Sequence, residues 1–378
     1  MSMKRSVRTV LWSAGLSCLL VAAVVVSAGL GSVWIEPPTV AMAILNAIAV
    51  PTGLAMETGS IPLIGWTIPV PGLEYTNVFS FDIATTHQVI VETLRLPRIA
   101  LAATVGFALA AAGTVMQGFF RNPLADPSII GVSSGAAAGA VAAIAFPTLI
   151  PFGGLHLAAF VGALGTAFLV YAIATDGGRT PVATLLLAGV AVQAFLGAAI
   201  SYMLVYSGDD LREATIWMMG HLQNSSWGDV AFALPISLIG VLVLGGFTRE
   251  MNVLLLGEED AQHLGVNVER TKLLLLALAS IVTAAGVAVA GVIGFVGLVV
   301  PHIMRLLVGP DHRILLPTSA LAGASFLVAT DTIARLDSVS LPLGIEFGMP
   351  VVPVGIVTAA LGAPFFLFLL TRREVHSV

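Results

Sequence analysis

Long stretches of this chain contain no Asp, Glu, Lys or Arg, among them residues 10–35, 99–120, 127–175, 180–208, 230–248, 273–304, 314–330 and 347–371. A helix of about 20 apolar residues crosses the hydrocarbon of a bilayer, and backbone polar groups there are satisfied only inside helices or closed barrels. These runs are continuous, not the short alternating segments of a barrel. Interval 127–175 is long enough for two spans, parted at Pro147 and Pro151. Interval 273–304, carried on to Gly309, holds one full span and one short one. The expectation is an all-α polytopic membrane protein with about ten transmembrane helices in a single domain. Composition agrees: 10% of residues are charged, against about 25% in soluble domains.

Lys4, Arg5 and Arg8 precede the first apolar run as they would in a signal peptide; with nine further spans behind it, a retained first helix is expected. Cys18 lies in that run with Gly15 three residues before it, which is no lipobox, and a single cysteine excludes a disulfide framework.

Lys and Arg favour the cytoplasmic side. Ten spans with the N-terminus inside put Lys4, Arg5, Arg8, Arg121, Arg179, Arg249, Arg270, Lys272, Arg305, Arg313, Arg372 and Arg373 inside. Only Arg95, Arg98, Arg212 and Arg335 fall outside, twelve against four. Both termini are therefore expected in the cytoplasm. The outer loops are acidic, and Lys occurs only at 4 and 272. A salt-adapted host and an Arg-rich codon bias explain that equally.

The longest outer loop, 36–94, has a Pro/Gly-rich centre whose PLIGWTIPVPG is apolar enough for the membrane interface, although a packed external loop is the plainer reading. The main inner loop, 249–272, contains NVLLLGEEDAQHLG, read as one short amphipathic helix bounded by glycines. Leu254, Leu255, Leu256 and Leu264 oppose Glu258, Glu259 and Asp260, for which the sequence suggests no partner in the chain. There is also an internal echo. AAAG at 110–113 stands ten residues before Pro123, with Gly131 eight further on, and AVAG at 288–291 stands likewise before Pro301 and Gly309. Five spans apart, the two would lie in halves of inverted topology, a transporter habit.

No G-x-x-x-x-G-K-[ST] is present to cradle ATP phosphates, and no H-E-x-x-H or Cys/His cluster to hold a metal. No catalytic residue, metal, cofactor or nucleic-acid partner is expected. His302, beside Pro301, reads as a core histidine ahead of a ligand or proton relay. No charge stands at the middle of a clearly assigned span, as ion-coupled carriers need, and Asp331 and Arg335 are spaced to pair with each other. A secondary transporter and a membrane enzyme are thereby disfavoured. Small residues at 105–113, 131–143 and 283–294 permit close helix approach. The chain reads as a conduit without its own engine.

LRLPR (94–98), MQGFFRNPLADPSIIGVSSGAAAGA (116–140), LLLAGVAV (185–192), LGEEDAQHLGV (256–266), GFVGLVVPHIMRLLVGPDHRILLP (294–317) and PVGIVTAALGAPFF (353–366) together resemble the FecCD permeases. These are the membrane subunits of type II ABC importers for iron–siderophores, haem and cobalamin. The resemblance runs from residue 8 to 373. It implies two copies around a shared pathway in the cell membrane, two ATP-binding subunits on the inner face and an external substrate-binding protein. ATP hydrolysis would belong to those separate subunits. It also implies an ATPase-coupling role for the inner-loop helix through Leu256, Glu258, Glu259, Asp260 and Leu264. The acids fit a protein partner better than anionic lipid, which attracts basic helices. The NPL turn implies a cytoplasmic gate at Asn122 and Leu124. A second gate segment, Thr180–Ala183, supplies Val182 and Ala183 where cobalamin members carry small hydroxyl residues. Arg95, Arg98 and Arg335 match arginines that receive acidic residues of the binding protein, local pairing being the plainer alternative. DDLREATIWMMG (209–220) most resembles cobalamin members, so cobalamin is the expected cargo, with iron–siderophores or haem as alternatives. The loop 36–94 and DSVSLPLGIEFGMPVV (337–352) exceed the usual family length.

Overall fold

The computed structural model describes residues 5–61, 66–148, 154–335 and 352–374. Lys4 and nearly all of the 337–352 segment lie outside these residues. Helix α1 (Arg5–Gly29) leads to α2 (Pro37–Asn46) and to an antiparallel hairpin, β1 (Ala49–Ile61) and β2 (Trp66–Asn77), with Ala49 opposite Asn77. The stretch read as one long external loop therefore carries a helix and a hairpin. Its prolines disguise it: both strands of a two-stranded ribbon are edges, where Pro51, Pro69 and Pro71 leave little of a ladder to break. Helix α3 (Thr85–Val89) continues through a π-turn at Ile90–Arg95 into α4 (Leu96–Phe119).

A 3₁₀ turn at Pro127–Ile130 precedes α5 (Val132–Ala145), α6 (Gly154–Ala174), α7 (Val182–Tyr206) and α8 (Leu211–Met218). Then come α9 (Trp227–Gly246), α10 (Thr248–Leu254), α11 (Glu258–His263) and α12 (Val268–Ala290). The chain continues through α13 (Val296–Val308), α14 (His312–Ala334) and α15 (Val354–Glu374). Among the described residues seven helical units are long and apolar enough to cross a bilayer: α1, the α3–α4 unit, α6, α7, α9, α12 and α14. Three shorter apolar helices, α5, α13 and α15, bring the number to the expected ten.

Two ends of the bundle are distinct. One gathers the start of α1 and the inner turns: Arg8 Nη2 donates to the Val308 carbonyl at 3.2 Å, and Lys272 Nζ to the Thr180 carbonyl at 2.7 Å. We call it the basic end, because Arg121, Arg179, Arg249, Arg270 and Arg313 also lie on the turns and helix ends there. The opposite end carries α2, the hairpin, Arg95, Arg98 and Arg335. Helix α4 descends to the basic end and α12 rises from it, so the two run antiparallel. Each is followed by a short apolar helix whose N-cap is left-handed, Gly131 (φ 83°) before α5 and Phe295 (φ 68°) before α13. The glycine echo itself does not superpose on this plan, since Gly113 lies inside α4 whereas Gly291 ends α12.

The core is built around α4, of whose 24 residues 20 are buried. Helices α14, α12, α9 and α13 pack on it. Small residues make this possible: a Cβ on Gly106 would strike the Gly323 carbonyl of α14, and one on Gly113 the Gly297 backbone of α13. Lipid offers no hydrophobic drive between helices, so this close backbone approach is a main source of cohesion. By contrast α1 and α7 bury only 6% and 22% of their apolar windows. Helix α7 leaves Leu187, Phe195, Tyr202 and Val205 exposed.

Candidate functional site

At the basic end, α4 stops because Arg121 turns left-handed (φ 48°) and Pro123 has no N–H to continue a helix. Asn122 winds the turn. Its N–H donates to the Gln117 carbonyl at 3.1 Å, and its Oδ1 accepts from Leu124 N–H at 3.0 Å. This is the Asx turn that favours Asn. The side chain does not cap the next helix; Asp126 does, accepting from Ser128 N–H at 2.8 Å with Pro127 in the first turn. Burial pushes the Asp126 carboxyl above the usual carboxylate range, partly offset by Ser128. Asn122 is exposed and Leu124 half-buried.

The second expected gate segment starts at a knot of polar bonds. Thr180 is buried; its N–H donates to Glu269 Oε2 at 3.1 Å and its carbonyl accepts from Lys272 Nζ at 2.7 Å. Helix α7 begins two residues later, with Val182 half-buried and Ala183 exposed.

The inner-loop segment departs from the sequence reading in two ways. It is not one helix, because Gly257 at φ 125° breaks it into α10 and α11. Nor are its acids all without a partner in the chain: Glu258 meets Lys272 Nζ at 3.2 Å, and the same amine lies 3.2 Å from Glu269. Lys272 is only 3% exposed. Glu259 and Asp260 are exposed. Leu254 is buried, whereas Leu256 and Leu264 are 63% and 59% exposed. Buried Ala261 seats α11 on the bundle, and two leucines and two acids face outward beside it. A Cβ on Gly257 would lie 3.8 Å from Arg121 Nη1, which puts this segment against the 120–127 turn. Beside Leu264 a cleft of 480 Å³ is lined by Arg249, Glu250, Val266 and Arg270.

Sequence reasoning missed Lys272 and Asn252. Asn252 Nδ2 donates to Asp311 Oδ1 at 2.7 Å, and its Oδ1 accepts from His312 N–H at 2.9 Å, tying α10 to the α13–α14 turn. Nothing in the sequence signals that. Lys272 did leave a trace, as one of two lysines, three residues after Glu269.

At the opposite end the three arginines are not free donors on a rim. Arg95 is 6% exposed and donates to the Ala28 and Val33 carbonyls at 2.5 and 2.6 Å. Arg98 grips Asp331 in a bidentate pair, with Nη2 at 2.8 Å and Nε at 3.0 Å. Arg335, 8% exposed, places Nε 3.0 Å from the same carboxylate and Nη2 2.7 Å from Ser27 Oγ. Guanidiniums taken out of water need such internal partners, so the local pairing set beside docking in the sequence reading is present in the fold. Close by, burial and then the Arg98 charge push His221 below its ordinary range. It joins His156, Asp209, Asp210, Arg212 and Glu213 in lining a 530 Å³ cleft. His302 is buried edge-on to Phe365, with ring centroids 6.5 Å apart, as a core histidine.

Residues 19–372 match the family model described as the FecCD transport family. The chain belongs to that family. It is a multi-pass membrane permease subunit of the ABC-importer class, and its relatives carry several cargoes in their names. The cobalamin import system permease protein of Halobacterium salinarum is 56% identical over 99% of both chains. The hemin transport system permease protein of Yersinia pestis is 44% identical over 74% of this chain and 83% of its own length. The Fe(3+) dicitrate permease protein of Escherichia coli is 39% identical over 76% and 87%. Among solved structures, a metal-chelate type ABC transporter in an inward-facing conformation matches with TM-score 0.71 at 30% identity. That likeness covers 95% of this chain and 98% of the other.

Proposed function

We propose that this FecCD permease is the conduit of an ATP-driven cobalamin importer. It works as two copies, with two ATP-hydrolysing subunits at the basic end and a substrate-binding protein at the other. The observation that carries the cargo is the 56% identity, end to end, with a cobalamin permease. Hemin relatives at 44% over three quarters of the chain are the second reading. The twelve-to-four distribution of basic residues supports a cytoplasmic basic end and cytoplasmic termini.

In this reading Leu256 and Leu264 are the apolar contacts for the ATPase, with Glu259 and Asp260 as its charged rim and Glu258 turned back to Lys272. Asn122, Leu124, Val182 and Ala183, at the ends of α4 and α7, narrow the inner mouth of the pathway. The deciding experiment reconstitutes the permease with the ATPase and binding protein of its own genome in liposomes. ATP-dependent uptake of cobalamin, above that of hemin and ferric citrate, is expected. Uptake that follows a proton or sodium gradient without ATPase would overturn the reading.

A further inference from the structure

We propose that Lys272 is the positioning residue that carries motion of α11 to the basic end of α7. The proposal rests on the ATPase-coupling reading above. Three elements converge on one buried amine. Glu258 brings the outward-facing α11, at 3.2 Å; Glu269 brings the first turn of α12, at 3.2 Å; and the Thr180 carbonyl brings the chain entering α7, at 2.7 Å. Glu269 closes the circuit, since its other oxygen accepts Thr180 N–H at 3.1 Å. Both backbone polar groups of Thr180 are thus held by the pair Lys272 and Glu269.

The geometry gives the amine a task beyond local neutrality. Helix α12 is the heavily packed member, 72% buried along its apolar window, whereas α7 is buried within this chain over only 22%. Its buried residues are Leu185, Ala188 and Gly189, all within the two turns after Val182. Within one chain α7 is thus held at that end alone, and the Thr180 bonds stand directly before it. Helix α11 is equally light, seated by Ala261 and released from α10 by the Gly257 break. An ammonium with three donors and no acceptor joins two light elements to a heavy one through charge-assisted bonds, which are about twice as strong as neutral ones. Displacing α11 pulls Glu258 against Lys272, and the strain is delivered to Thr180. Glu259, one residue along and exposed, has no such connection among the described contacts.

The test measures uptake per ATP hydrolysed by the complete complex in liposomes, with cobalamin and hemin supplied in parallel. Glu258→Gln and Lys272→Met are expected to keep ATPase assembly and hydrolysis while lowering uptake per ATP by about fivefold or more, the scale of a typical coupling between sites. Gln262→Ala, at an exposed position of α11 outside the proposed ATPase contact, should leave the ratio unchanged. Lys272→Arg, which keeps the charge, should stay nearer wild type than Lys272→Met. Should Lys272→Met not assemble, Glu258→Gln at its half-exposed position still decides. An unchanged ratio in Glu258→Gln, or equal losses in the Arg and Met variants, would overturn the node alone. A wild-type complex without ATP-driven uptake of either cargo would overturn the transport reading, and the node with it.

Discussion

Asp331 holds two guanidiniums with one carboxylate, Arg98 from α4 and Arg335 from its own helix. Removing one partner from such a buried set costs about 3–5 kcal/mol, more than the pair itself contributes. Asp331→Leu is therefore expected to lower the unfolding midpoint in detergent strongly, and adding Arg98→Met should recover part of the loss. Independent, additive losses would mean that the two side chains are not coupled. The pairing of Asp331 with Arg335 was legible because they stand four apart. The pairing with Arg98, across 233 residues, was not, because sequence spacing carries no distance between separate helices. That is why the sequence alone set docking beside local pairing for these arginines without naming the partner of Arg98. His221 gives a pH signature at the same end. Its folded pKa is depressed by burial and Arg98, so the unfolded chain takes up a proton first as pH falls. Stability from this group is full above about pH 6.5 and is lost as pH falls through the lower folded value. Thermal midpoints at several pH values should show that loss, and His221→Gln should flatten it.

The coupling segment illustrates what an element's sequence leaves open. NVLLLGEEDAQHLG is rich in good helix formers, and one internal Gly costs only about 1 kcal/mol, so a continuous helix was a fair expectation. The chain turns instead at Gly257, whose φ of 125° lies in a region that L side chains rarely adopt, with Leu254 buried before the turn and Ala261 buried after it. Gly257→Ala should be strained at φ 125°, by about 1–3 kcal/mol, and should weaken ATPase assembly with the helical content retained. Leu256→Asp with Leu264→Asp should abolish copurification of the ATPase without shifting the permease's own unfolding. Full copurification would move the contact elsewhere. The gate is better probed at Ala183 than at Asn122, whose carbonyl oxygen already holds its own turn. In a Cys18→Ala background, which removes the exposed native thiol, the labelling rate of Ala183→Cys should change when a non-hydrolysable nucleotide is added. Equal rates would remove this segment from the constriction.

At the scale of the whole molecule the ten spans were readable because bilayer thickness acts on segment length, and length is visible in a sequence. Which helix forms the centre was less visible. The small-residue runs pointed to close packing in several spans, but only the fold shows α4 surrounded while α7, just as apolar, is left largely bare. Gly113→Val is accordingly expected to disrupt the bundle, since even a Cβ meets the Gly297 backbone, whereas Gly197→Val on α7 meets open space. Unfolding midpoints of the two variants compare them directly. The central place of α4 also has a consequence in time. It leaves the ribosome as the second of ten spans, yet Gln117 near its end finds the Leu298 carbonyl 181 residues later. At roughly 5–20 residues per second that interval is roughly 10–40 s. Thr104 and Thr114 need no help meanwhile, bonding to Ala100 and Ala110 within their own helix. Gln117 has no such recourse, so nascent chains arrested before α13 should remain held by insertion machinery, and those arrested after α14 should be released from it.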